Sequence, residues 1–199
     1  CRRAVTAMLE DTVAPLILGR NVQERAALVH DLQVKLHLWG RYGISMFAIS
    51  GIDMALWDLA GKAVNLPVFR LAGGFRDRLP CYKSGGNLPE VEDYVADAVQ
   101  AKEEGFGGYK DHCYGGVSVM SEVAQALRTA VGEDFHLMHD CVQNYIYTDA
   151  LKVGRVLEDT DYFWCEEPLR AYDIAGLKKL TDDLEVPIAA SEYLPGTIH

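Results

Sequence analysis

Positive charge is scarce in this chain. Nineteen Lys and Arg stand against 29 Asp and Glu, a formal net charge of −10 at neutral pH. That balance argues against nucleic acid or an anionic membrane as the main partner. It leaves room for an anionic substrate, because a bound divalent cation would reverse the local sign. Cysteine is also sparse: Cys1, Cys81, Cys113, Cys141 and Cys165 are odd in number and widely spaced. They read as reduced thiols in a cytoplasmic protein, not as a disulfide framework or a zinc ribbon. No apolar run approaches the roughly 18 residues of a membrane span, since Asp53 and Asp58 interrupt the best candidate. A secretory signal is not read either, because the stretch Ala4 to Leu9 is short and meets Glu10 and Asp11 at once. No segment is low-complexity, and a first residue of Cys instead of Met reads as part of a longer chain.

What is present is ordinary globular composition, 49% hydrophobic and 24% charged over 199 residues, enough for one large domain or two small ones. Two rhythms divide it. Residues 1–75 read as helical, with Pro15 and Gly19 as breaks, Asn21 as an N-cap, and Gly40 as a stop. A long helix follows from Ile44 to Ala63, its apolar face carrying Phe47, Gly51, Ala55 and Leu59 at steps of four. Asp53, Trp57, Asp58 and Lys62 on this helix read as structural, with Asp58 and Lys62 spaced for a surface ion pair. Asn65 and Pro67 end it. Residues 76–199 alternate instead. Strand-like runs near 80–84, 107–112, 135–140, 161–166 and 187–192 are separated by helical patterns near 89–104, 117–131, 147–159 and 173–184. That alternation predicts βαβ units on a parallel sheet. Five units do not close a barrel of eight, so the choice is an open doubly wound sheet or part of a barrel. The unlike helical stretch in front favours the barrel.

In parallel barrels the chemistry sits where strands end. Here they end in Tyr82-Lys83-Ser84, Lys110-Asp111-His112, His139-Asp140, Glu166-Glu167 and Ser191-Glu192. Asp140, Glu166 and Glu192 are separated by two equal steps of 26 residues, about one βα unit each. Three carboxylates on consecutive strands predict a hard oxygen site suited to Mg²⁺, with Mn²⁺ as the other fit. Alternation puts Lys110 and His112 on one face, Asp111 on the other, and His139 on the face opposite Asp140. Glu167 is expected to face away from Glu166 in a supporting role, and the cysteines beside the site to pack as small apolar groups. A base and a cationic contact next to a cation suit removal of the proton beside a carboxylate, which creates a dianionic enediolate. Imidazole, titrating near pH ~6.5 in water, is suited to take that proton near neutrality.

The ordered set Gly51-Ile52-Asp53-Met54-Ala55-Leu56-Trp57-Asp58-Leu59 with Gly61-Lys62, then Leu71-Ala72-Gly73-Gly74, Tyr109-Lys110-Asp111-His112, Asp140, Trp164-Cys165-Glu166-Glu167-Pro168 and Ser191-Glu192 resembles the mandelate racemase/muconate lactonizing enzyme family of the enolase superfamily, its mandelate racemase-like subgroup above all. The resemblance covers nearly the whole chain. It implies an α/β fold: a partial (β/α)7β TIM-like barrel, residues 76–199, preceded by the helical part of an α+β capping domain, residues 1–75. It also implies Mg²⁺ on Asp140, Glu166 and Glu192, with Lys110 and His112 as catalytic residues. Enolase-superfamily sites pair a Lys or His base with one or two Mg²⁺ ions. Two departures stand out: His112 occupies the place where the family commonly has a second lysine, and Val142 the place where asparagine is frequent. His199 is not counted as the histidine that related racemases and dehydratases keep on a late strand. The implied activity is acid-sugar dehydration in carboxylic acid catabolism, through an enediolate. The alternatives are a racemase or epimerase of a 2-hydroxy acid, and a non-catalytic ligand-binding or regulatory homologue. The partner expected is a small hydroxy acid or acid sugar, with neither nucleic acid nor membrane, and the full-length protein is expected to be a homo-oligomer.

Overall fold

The structure, a computed structural model, describes residues 2–39 and 43–193. Gly40, Cys1 and His199 lie outside the described residues. Two compact units divide the chain, one ending at Asp77 and the other beginning at Arg78.

The first unit is helical. Helices α1 (Arg2–Ala7) and α2 (Ala14–Ile17) are joined by a π-helical turn over Met8–Val13. Pro15 therefore does not break the run as its lack of an N–H suggests: it sits in the first turn of α2, where that N–H is not needed. The run ends at Leu18, and Gly19 follows with φ +80°. Asn21 caps a 3-10 turn, its side chain accepting the Gln23 N–H at 3.0 Å, and the chain then enters α3 (Arg25–Lys35). Helix α4 (Ile44–Val64) is the longest element. By length and composition it is apolar enough to cross a membrane, so Asp53 and Asp58 do not interrupt it as the sequence suggests. Its buried positions are Ser45, Ala48, Ile49, Leu56 and Gly61. Ala48 and Ile49 pack with Val13, Leu32 and Leu36, and Asp53 pairs with Arg25 at 2.5 Å. The same guanidinium lies 4.1 Å over the Trp57 ring. Lys62 reaches Asp58 at 2.6 Å on the exposed face. Asn65, left-handed at φ 55°, stops α4, and the Leu66 N–H returns to the Gly61 carbonyl. A side chain at Gly61 would strike the Leu66 carbonyl at 2.7 Å, so only glycine permits that return. The short α5 (Val68–Leu71) follows Pro67.

The second unit repeats strand and helix: β1 (Lys83–Ser84), α6 (Val91–Glu103), β2 (Gly108–Asp111), α7 (Val117–Val131), β3 (His136–Asp140), α8 (Tyr147–Asp159), β4 (Trp164–Glu166), α9 (Ile174–Asp183) and β5 (Ile188–Ala189). The strands lie in sequence order and pair in parallel throughout. Right-handed βαβ crossovers give that order when each helix returns the chain to the next strand position. Tyr109, Leu137, Cys141 and Cys165 share one core with Ala98 and Ala101 of α6, Val123 and Leu127 of α7, and Val153 and Leu157 of α8. Cys141 and Cys165 are free thiols, Sγ to Sγ 3.5 Å, packing as small apolar groups. The end strands are shorter than their apolar runs predict, two residues each. Pairing does continue beyond them through single bonds, from Gly107 N–H to Cys81 and from Cys165 N–H to Pro187. Gly85 after β1 leaves room for the Tyr109 hydroxyl, which a side chain there would overlap.

Candidate active site

Register decides which side chains meet. Asp140 pairs with Glu166 across β3 and β4, and Lys110 pairs with Met138, two residues before Asp140. Paired residues of parallel strands share a face, so Lys110, Asp140, Trp164 and Glu166 stand together. The opposite face carries Asp111 and His139, directly paired and fully buried, with His139 Nδ1 2.7 Å from Asp111 Oδ1. Burial works against a charged imidazole there, yet the Asp111 charge and hydrogen bond outweigh it and hold the His139 pKa above its ordinary value. The Asp111 carboxylate also accepts the Cys113 N–H at 3.1 Å. His139 thus belongs to the supporting side of the sheet.

Glu192 joins the first two carboxylates by a different route. The ladder pairs Glu166 with Ala189, so Glu192 lies three residues past the strand end, in a turn where Ser191 takes φ 111°. The equal spacing of 26 residues therefore reflects a strand step between Asp140 and Glu166 and a turn between Glu166 and Glu192. Glu167 makes that turn. Its carboxylate, 1% exposed, accepts the N–H of Ser191 at 2.7 Å and of Glu192 at 2.9 Å through one oxygen. One ligand atom from each of Asp140, Glu166 and Glu192 then falls within 4.8 Å of the others.

Lys110 and His112 converge on this group. The Lys110 ammonium lies 2.8 Å from Glu166 Oε2 and 3.5 Å from Asp140 Oδ2, and His112 Nε2 lies 3.2 Å from the same Asp140 oxygen. Burial would lower the Lys110 pKa, but the hydrogen bond and charge of Glu166, with Tyr82 and Asp140 behind them, raise it. Lys110 therefore remains a cation at neutral pH. The other Asp140 oxygen accepts the Val142 N–H at 3.0 Å. Val142 and Gln143 are left-handed, φ 47° and 60°, and Gln143 N–H is bound to the Glu167 carbonyl at 2.7 Å. A β-branched residue in that region is strained, and strain of this kind clusters where a chain must aim a functional group. A cleft of about 340 Å³ opens here, lined by Tyr82, Trp164, Glu166 and the turn from Ala189 to Glu192.

Three hard carboxylate oxygens in a small cluster, with no sulfur or imidazole among the ligand atoms, fit a hard divalent cation of the Mg²⁺ type. Two contributors carry little signal in the sequence. Trp164, whose indole N–H donates to Glu166 Oε2 at 3.0 Å, could have been found by counting two residues back along the strand from Glu166. The backbone bonds of Glu167 carry no sequence signal beyond its place beside Glu166.

Two domain models match the chain: the mandelate racemase/muconate lactonizing enzyme N-terminal domain over residues 1–73, and the enolase C-terminal domain-like model over residues 93–198. L-talarate/galactarate dehydratase of Salmonella typhimurium is 36% identical over 92% of this chain and 46% of its own length. The structure of L-talarate dehydratase from Polaromonas sp. JS666, complexed with Mg and L-glucarate, superposes with a TM-score of 0.88 at 31% identity, covering 96% of this chain and 54% of that one. A racemase from Streptomyces coelicolor A3(2) with bound magnesium gives 0.91 at 29% identity, over 96% and 54%. The chain spans about half the length of the curated relatives it matches. From its two matched domains and the parallel α/β architecture they share with solved structures, the chain belongs to the mandelate racemase/muconate lactonizing enzyme family of the enolase superfamily.

Proposed function

We propose that Asp140, Glu166 and Glu192 hold a Mg²⁺ ion, Mn²⁺ being the other fit, and that the protein removes the α-proton of a hydroxy-carboxylate, most simply an acid sugar that it dehydrates. The observation that carries the reading is the convergence of three carboxylates within 4.8 Å with Lys110 and His112 against two of them. When bound, the cation supplies charge to offset the enediolate that forms on the substrate carboxylate. The chain's own residues do the rest. His112 is the base that accepts the α-proton. Lys110, held cationic by its acidic neighbours, meets the substrate carboxylate, and the aromatic wall of Tyr82 and Trp164 borders the cleft. Loss of the β-hydroxyl, with the removed proton, amounts to loss of water and leaves a 2-keto-3-deoxy acid. Relatives named as dehydratases of talarate, galactarate and arabinonate support this outcome. Domain boundaries near residue 76 and a small-molecule partner accord with it.

A second reading has support of its own, since a structural neighbour is named a racemase. The same enediolate, reprotonated at the α-carbon, gives an epimer. Incubating the intact protein with Mg²⁺ and a panel of acid sugars in D₂O separates the outcomes. Dehydration yields a semicarbazide-reactive keto acid, and epimerisation yields α-deuterium without it. If neither appears with any acid sugar while Mg²⁺ binds, the chain is a ligand-binding homologue and the catalytic reading fails.

A further inference from the structure

Glu166 has two donors on one oxygen. The Lys110 ammonium and the Trp164 indole N–H both reach Oε2, at 2.8 and 3.0 Å, and no donor among the described residues reaches Oε1. The two donors differ in persistence. Lys110 carries a flexible four-carbon stem and already lies within reach of two carboxylates and 5.6 Å over the Tyr82 ring. An anionic substrate would draw it away. The indole has only two side-chain torsions, and its ring is packed: Tyr82 stands edge-on at 5.5 Å and 79°, and the Phe163 ring lies 5.3 Å away.

We propose that Trp164 is a positioning residue for the cation site, its indole N–H fixing Oε2 of Glu166 so that Oε1 is the oxygen offered to the cation. The inference rests on the reading of Asp140, Glu166 and Glu192 as ligands. A carboxylate hydrogen-bonded through one oxygen binds a metal through the other in a fixed orientation, and removing such an outer partner typically costs about 10- to 100-fold in metal affinity. Trp164 keeps that orientation when Lys110 turns to substrate. It therefore acts through Glu166, without touching the reacting atoms.

Trp164→Phe keeps a ring against Tyr82 and deletes the N–H. Calorimetric titration of the intact protein with MgCl₂ is predicted to give a Kd about tenfold weaker for this variant than for wild type, with the metal-free Tm unchanged. Should the variant fail to fold, the wild type still answers. The Trp164 indole N–H resonance of the ¹⁵N-labelled intact protein is assigned through its sequential connectivities to Phe163 and Cys165. It should shift along the calorimetric isotherm. An equal Kd for Trp164→Phe, or an indole resonance that stays still while calorimetry records binding, overturns the role of Trp164 and leaves the cation site standing. No Mg²⁺ binding by wild type overturns the cation site itself, and this role with it.

Discussion

Glu167 holds the backbone of Glu192. One buried carboxylate oxygen takes the N–H groups of Ser191 and Glu192, at 2.7 and 2.9 Å, and so sets where the third acid of the site stands. Glu167 itself sits at φ 44°, a conformation that costs a non-glycine residue energy and that the surrounding bonds compensate. Glu167→Ala leaves both N–H groups without that acceptor. We predict a loss of about 1–2 kcal/mol in urea unfolding, since the lost bonds are only part-buried and water can replace some of them, and weaker Mg²⁺ binding. Glu167→Gln, which keeps an acceptor oxygen, should recover most of both.

Behind the site, Asp111 and His139 form a pair with no exposed side-chain surface. Removing one member strands the other in the core. His139→Leu or Asp111→Leu should each cost about 3–5 kcal/mol, while the double replacement should cost less than either alone. A double-mutant cycle by denaturant unfolding measures the coupling.

In the helical unit, Arg25 makes an ion pair with Asp53 and stacks on Trp57. Both side chains of the pair are about one-third exposed, so screening keeps the ion pair near ~0–1 kcal/mol, with the ring contact adding about 0.5–1. Arg25→Ala should lower stability by about 1–2 kcal/mol and leave the calorimetric Kd for Mg²⁺ unchanged. A changed Kd would move Arg25 out of its structural role.

Acid stability offers a further test through Glu158. Burial raises its pKa, but Arg155 at 2.8 Å and the N–H groups of Glu185 and Val186 outweigh burial and lower it. A carboxyl whose folded pKa lies below its unfolded value near ~4.3 stabilises the fold above that value. The stabilisation is lost as pH falls through the lower folded pKa. Unfolding free energy should therefore drop more steeply below pH ~4.3 in wild type than in Glu158→Gln.

Much of the site is readable from residues alone, for reasons of period. Alternation in β2 and β3 separates Lys110 and His112 from Asp111, and Asp140 from His139, because a strand has period two and its ends sit where parallel folds collect chemistry. The pairing of Asp140 with Glu166 follows from one βα step. Where the chain leaves regular structure, the period stops informing. Glu192 arrives through a turn set by Glu167, Pro15 sits inside a helix beyond a widened turn, and Asp53 finds Arg25 28 residues away. Trp164 is visible as a strand residue, but its bond to Glu166 depends on a side-chain orientation set by Tyr82 and Phe163.

The proposed base and the proposed ligands should separate on mutation. His112→Ala should abolish α-deuterium exchange and leave Mg²⁺ affinity nearly intact, because His112 touches Asp140 without completing the acid cluster. Asp140→Asn should instead weaken the metal.

Every step of the proposed chemistry depends on three acids sharing one cation. Crystals of the intact protein grown with Mn²⁺ and measured for anomalous scattering would show it. One strong anomalous peak is expected, bounded by the carboxylates of Asp140, Glu166 and Glu192 and lost in Asp140→Asn. A peak elsewhere, or none among these three side chains at saturating Mn²⁺, would refute the shared site.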